Sequence, residues 1–219
     1  MYCEGIKLFS KIKEIFLKHI RSNSKTYFFL LLAFIVGVSA GAFTVNGLST
    51  GQRDELTNYF QGFLQLLGNQ KIDSSELLRI AVFENLRIVT VLWVLGVTII
   101  GIPFVFILIG IRGFITGFSS GFIIETMGVK GILVALAALL PKEIIIVPCI
   151  IAMGVSGINF SLNIIKSRSK HLSKESLKTS FFAYCTVTIL YTGIIFAGIL
   201  MEAYVTPVFI RLAATIVGS

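Results

Sequence analysis

The sequence predicts an all-α fold, a polytopic helical membrane protein with about five transmembrane helices and a broken third helix. The 219 residues are 55% hydrophobic and only 14% charged, with a mean hydropathy of +0.90, whereas soluble domains carry roughly a quarter charged residues. Four uncharged runs have the ~20 residues that a helix needs to cross a bilayer. Because lipid cannot satisfy open strand edges, these runs are expected to be helices. They lie at about residues 27–45, 88–111, 144–165 and 179–201.

Residues 1–25 precede the first run and are predicted to form a basic amphipathic helix. Basic side chains recur there at helical spacing on one face and apolar side chains on another, which is typical of a helix lying on the inner leaflet. A partner-binding helix is the alternative. The net charge of +8 does not indicate nucleic acid, because the bases cluster beside the spans, where topology and anionic lipid account for them.

Residues 26–219 are predicted to form a single transmembrane domain. In its first span, Gly37 and Gly41 form a GxxxG pair, a pattern that lets a neighbouring helix approach closely. Packing inside the protein and contact with a partner helix are both possible. The largest polar segment, residues 46–87, is predicted to be an outer loop that is too short for a catalytic domain and long enough for docking.

The central stretch after Arg112 carries Gly113, Gly117 and Gly121 at four-residue spacing, which places them near one helix face. Basic residues are enriched in residues 1–25 and in the loop 166–178, so both are expected to be cytoplasmic.

This topology requires one net crossing between the second span and the run at 144–165. We therefore predict a broken third span at 113–140, with a short span followed by a re-entrant piece at 131–140 as the variant. Either arrangement gives five crossings, an N-terminus inside and a C-terminus outside.

Two ionisable residues, Glu125 and Lys130, lie inside this predicted broken span. Intramembrane charges are costly and are functional candidates by default. Alternatively, the two residues lie at the outer interface or pair with each other. Four further residues are predicted to form an elbow at the outer surface: Pro141, Lys142, Glu143 and Pro148.

Catalytic motifs are scarce. Residues 117–121 match G-x-S-x-G, but that motif requires a strand-to-helix turn. The two histidines, His19 and His171, lie in the basic segments and cannot reach a serine within the membrane. The sequence shows no zinc motif and no phosphate-binding loop. A non-enzymatic protein without metal or cofactor is therefore expected.

The order of motifs from residue 83 onward resembles the stage II sporulation protein M family. Asn85-Leu86-Arg87 leads into an apolar span, and the motifs that follow are Gly110-Ile111-Arg112-Gly113-Phe114, Gly117-Phe118, Gly121, Leu139-Leu140-Pro141 and Pro148. The length and five spans resemble the sporulation members. In the wider family His-Gly often follows the first proline, whereas Lys142-Glu143 follow Pro141 here.

The resemblance implies a component of the mother-cell membrane and septum of a sporulating bacterium that acts in forespore engulfment. It implies a scaffold that gathers two membrane-associated peptidoglycan hydrolases, a transglycosylase-type and an amidase/endopeptidase-type enzyme. Membrane lipids and a homo-oligomer are further expected partners. The rival hypotheses are a transport or channel subunit that uses Glu125 and Lys130, and an intramembrane enzyme, which would need a catalytic base that we do not find.

Overall fold

The computed structural model describes residues 20–69, 74–170, 174–206 and 208. Six α-helices follow one another in this part of the chain, and a π-helical turn at Met201–Val205 extends the last one. The helices are α1 (Ser24–Asn46), α2 (Thr50–Asn69), α3 (Ser74–Val97), α4 (Gly101–Met127), α5 (Val129–Lys170) and α6 (Lys174–Leu200).

The all-α class with five spanning helices is confirmed. All helices except α2 are long and apolar enough to cross a membrane. No strand occurs within the described ranges. Parts of the predicted regions lie outside those ranges, namely residues 1–19 of the amphipathic helix, 70–73 of the outer loop, 171–173 of the basic loop, and 207 and 209–219 of the transmembrane domain.

The predicted outer loop, residues 46–87, is corrected because residues 74–87 belong to α3, which is a candidate span from Ser75 to Val97. The predicted second span, residues 88–111, is corrected because the structure breaks it at residues 98–100. Pro103 stands in the first turn of α4, where a helix does not need the missing N–H, so it begins a helix rather than kinking one. The last carbonyls of α3 need partners from outside the helix. Ser161 of α5 donates to Gly96 O at 2.8 Å, and Tyr184 of α6 donates to Trp93 O at 3.2 Å.

The predicted broken third span, residues 113–140, is also corrected, since it contains the end of α4 and the beginning of α5. The two helices meet at Gly128, whose φ of 62° lies in the region that favours glycine. Helix α5 then runs through Pro141 and Pro148 without interruption. The predicted elbow at the outer surface is therefore wrong, because its residues lie inside a helix of 42 residues.

Helix α5 packs against α1, α3, α4 and α6 and supplies most of the core. The residues that it buries most completely include Ile146, Ile150 and Val155. Large apolar side chains on the outside of the bundle, such as Phe43 and Ile189, are more than 70% exposed. In a chain that spans a membrane these surfaces face lipid, and close packing rather than hydrophobic burial holds the helices together.

Candidate functional site

Helix α4 uses one of its faces to contact α1 backbone to backbone. An added Cβ at Gly117 would overlap the carbonyl oxygen of Val38 and lie 2.7 Å from its Cα. An added Cβ at Gly113 would overlap the carbonyl oxygen of Phe34, and one at Gly121 would lie 3.1 Å from Ala42 Cα. Gly113 and Gly117 therefore let α1 approach to a distance that no larger residue permits, and the contact at Gly121 is only slightly looser.

The glycines of α1 make the reciprocal contacts on α4. A Cβ at Gly37 would overlap the carbonyl oxygen of Gly110, and one at Gly41 would overlap that of Phe114 and lie 2.7 Å from Phe118 N. The five glycines predicted to pack helices thus lie in one interface, between α1 and α4 of a single chain. Their surface is occupied by the protein itself and is not open to a partner helix.

The next face of α4 carries charge into the bundle. Arg112 lies about 16 Å from the first residue of α4, and its Nη2 donates to Glu143 Oε1 of α5 at 3.1 Å. The two side chains are only 11% and 13% exposed. Thr116 Oγ1 lies 3.4 Å from the same carboxylate oxygen and 3.1 Å from Arg112 O.

Lys142, which precedes Glu143, contacts a different helix. Lys142 forms an ion pair with Glu202 in the π-helical turn that extends α6, and both side chains are 20% exposed. Adjacent helical residues point about 100° apart, so α5 reaches α4 with Glu143 and α6 with Lys142. The four charges sum to zero. They tie three helices together at one level of the bundle, and we call them the polar layer (Arg112, Lys142, Glu143 and Glu202).

A cavity of about 220 Å³ lies beside the polar layer, between α4 and α5. Thr116, Ser120 and Glu143 are its polar lining, and leucines such as Leu136 form much of the rest. Glu143 Oε2 and Arg112 Nε have no hydrogen-bond partner among the described residues. Each ion of this pair therefore keeps one unsatisfied polar atom in a largely apolar site, which makes its geometry sensitive to the loss of either partner.

Glu125 and Lys130 lie at helix ends and not within one broken span, which favours the alternative that they occupy an interfacial position. Glu125 is in the last turn of α4 and Lys130 in the first turn of α5, on either side of Gly128. Glu125 pairs with Arg53 of α2, and both side chains are partly exposed. Phe60 of α2 also meets Phe122 edge to face, with ring centroids 6.1 Å apart.

The two family-like residues of α3 face opposite ways. Asn85 is buried, and its Nδ2 donates to Ala81 O at 2.8 Å. Arg87 is exposed on the outside of the bundle.

The polar layer was missed from the sequence, although a signal for it existed. Arg112 directly follows one uncharged run, Glu202 directly follows another, and the neutral pair Lys142-Glu143 directly precedes a third. Opposite charges that lie in separate apolar helices are costly alone and are expected to pair. Arg112 falls outside the predicted span at 88–111, because the sequence does not mark the boundaries between the second and third spans.

Two serine hydroxyls of the bundle form hydrogen bonds within their own helices. Ser120 Oγ bonds to Gly117 O at 3.0 Å, and Ser156 Oγ bonds to Ala152 O at 2.9 Å, so each hydroxyl is engaged by its own helix. Within the described ranges no three His, Cys, Asp or Glu residues come together as a metal site would require.

Comparison with known proteins gives one finding. A family model described as stage II sporulation protein M matches residues 30–207, which is most of the chain. Searches of curated proteins and of solved structures found no match.

Proposed function

The chain belongs to the stage II sporulation protein M family, and from this premise we propose that it is a non-enzymatic scaffold in the cell membrane. It recruits and positions peptidoglycan-degrading enzymes for septal wall thinning and forespore engulfment. The coarser statement, that this is a sporulation-related membrane protein, follows from the family together with the five apolar helices.

The observation that carries the proposal is the exposed face of α2. This helix is not one of the five spanning candidates, and it lies beside the end of α4 through the Arg53–Glu125 pair. Its outward face is open, with Tyr59 83% exposed. A shallow cavity of about 320 Å³ is lined there by Leu48, Gln52, Glu55, Leu56 and Tyr59.

A mixed apolar and polar concavity with an exposed tyrosine is typical of a protein-binding surface. If the basic ends of the spans are cytoplasmic, α2 lies on the wall side of the membrane, where the hydrolases act. Of the docking surfaces predicted from the sequence, α2 is then the one that remains, because the predicted elbow at Pro141–Pro148 is part of the continuous helix α5 and the glycine faces are filled.

The polar layer supports a rigid scaffold more than the transport alternative. A transport pathway was predicted from Glu125 and Lys130 in a broken helix, and these residues flank a turn at the end of the bundle. Two charges that lie at mid-helix in the bundle core, Arg112 and Glu143, are paired within the chain. Charges that bind each other hold the helices in place and are not themselves free to bind a passing solute.

Replacing both Leu56 and Tyr59 by Ala tests the proposal. The variant is expected to lower recovery of the two hydrolases with the tagged protein by about tenfold, since exposed aromatic anchors often contribute more than 1 kcal/mol to an interface. Phe182→Ala is the matched control, because Phe182 is 71% exposed on α6 and away from α2. Unchanged recovery of both hydrolases with the double variant would refute docking through α2.

A further inference from the structure

Helix α3 has a face that no other part of the described bundle covers. Ile80, Phe83 and Val94 are 52%, 64% and 49% exposed on this side. The opposite side of the same helix buries Ala81 and Leu92 in the core. The exposed side is continuous over several turns, since positions three and four apart share a helix face. We call it the α3 face.

Charged residues lie along the α3 face at regular spacing. They form the pattern acid-x-x-base twice, eight positions apart, as Glu76 with Arg79 and Glu84 with Arg87. All four are exposed. Arg79 lies over the Phe83 ring, with its guanidinium carbon 5.9 Å from the ring centroid. Glu84 and Arg87 form no ion pair or hydrogen bond with any part of the chain that the structure describes.

The second acid–base pair lies at the middle of a candidate span. The span runs from Ser75 to Val97, so Arg87 is about 18 Å from one end and 15 Å from the other. A charged group that faces hydrocarbon at this depth is costly and cannot snorkel to either surface. The α3 face therefore needs a cover that supplies charge of both signs.

We propose that the α3 face binds the α3 face of a second copy of this chain, with the Glu84 of each copy paired to the Arg87 of the other. Two copies in one membrane share their orientation, so a two-fold axis along the membrane normal sets their α3 helices side by side and parallel. The acid of one copy then lies three residues, about 4.5 Å along the helix axis, from the base of the other. Each of the four charges then has one partner of opposite sign in the other copy.

The spacing of the charges favours a second copy over other covers. The face is neutral and carries its own complement in the same order, which is what an isologous interface requires. A helix with one sign of charge would leave either Glu84 or Arg87 unpaired. Apolar side chains on both sides of the pair, such as Phe83 and Val94, supply the close packing that associates helices in lipid.

Cysteine cross-linking tests contact between copies. In the 219-residue chain with Cys3, Cys149 and Cys185 replaced by Ala, Val94→Cys places one thiol on the α3 face. Ile189→Cys, at a position that is 73% exposed on α6, is the matched control. The purified protein is reconstituted at high lipid excess and oxidised. A disulfide-linked dimer is expected for Val94→Cys and not for Ile189→Cys, and equal cross-linking of the two would overturn the proposal.

Charge complementation then identifies the pairing. Arg87→Glu gives an all-acid centre and Glu84→Arg an all-base centre, each combined with Val94→Cys and a tag of distinct size. Each variant alone should cross-link about tenfold less than the parent because like charges meet. The two mixed together should recover the hetero-dimer. Pairing of Glu84 with Arg87 within one helix predicts no such recovery, because both variants have lost it.

Two further results decide the remaining cases. If either charge variant fails to fold, the neutral double variant Glu84→Gln with Arg87→Gln should still lose cross-linking about tenfold. The Val94→Cys protein is also tested in sporulating cells. If it cross-links there to a different protein and forms no dimer in vesicles, the α3 face is not covered by a second copy and the proposal is overturned. Hydrolase recruitment through α2 is measured separately, so the failure of either proposal leaves the other standing.

Discussion

The two faces of α4 hold their neighbours by opposite means. Toward α1, the helix offers Gly113 and Gly117, and the contact is made by backbone atoms with no charged group. Toward α5, one residue away, it offers Arg112, and the contact is made by an ion pair beside a cavity. The first interface depends on the absence of side-chain atoms at the glycines. The second depends on the ion pair between Arg112 and Glu143. They should therefore fail differently when residues are replaced.

The largest effect is expected from Gly117→Leu. Four added carbons at a backbone contact cannot be absorbed by a rotamer change, so α1 must move away. We expect a loss of about 3 kcal/mol or more in the free energy of unfolding, seen as aggregation or a strongly lowered Tm in detergent.

Gly193→Leu is the matched control, because an added Cβ at this glycine of α6 meets nothing within 4 Å. A Tm for Gly117→Leu equal to that of the control would show that α1 and α4 do not meet as described.

A smaller loss in the free energy of unfolding is expected at the polar layer, and a second substitution should reverse it. Arg112→Met leaves Glu143 buried without its partner and should cost about 3 kcal/mol. Adding Glu143→Leu removes the orphaned charge, so most of the Tm should return.

A double-mutant cycle on Tm measures this coupling. Additive losses at positions 112 and 143 would mean that the pair does not form in the folded protein. No second substitution at Val38 is expected to rescue Gly117→Leu in this way, since the clash there is with backbone.

The smallest change in stability is expected at the partly exposed ion pair between Arg53 and Glu125. Arg53→Ala removes the partner of Glu125, whose side chain is partly exposed, and such pairs contribute about 0–1 kcal/mol. The Tm should change little and should fall less at high salt, because salt screens the pair. A loss as large as that of Arg112→Met would show that Glu125 is buried deeper than the described geometry places it.

The sequence located the packing glycines correctly but not their partner. Four-residue spacing placed Gly113, Gly117 and Gly121 on one face, and GxxxG did the same for Gly37 and Gly41. That the two faces meet each other depends on α1 and α4 being neighbours. Nothing in local spacing encodes which helices are neighbours, because the same groove would accept any close helix.

The misplaced boundaries have a local cause. The run at residues 88–111 has no charge to mark an end, so the turn at 98–100 was hidden within it. Pro103 lies within this run and stands in the first turn of the next helix. Pro141 and Pro148 are predicted to form an elbow, yet α5 continues through both, as membrane helices do when other groups satisfy the freed backbone atoms.

The sequence by itself determined that this chain is a membrane protein of five apolar helices, because hydropathy and length depend only on composition along the chain. The motifs from Asn85 to Pro148 also pointed to its family. Only the tertiary structure decided that Arg112 and Lys142 find their partners on α5 and α6. An ion pair forms only when two distant segments of the chain are brought together. Tertiary packing decides which residues of neighbouring helices lie at the same level.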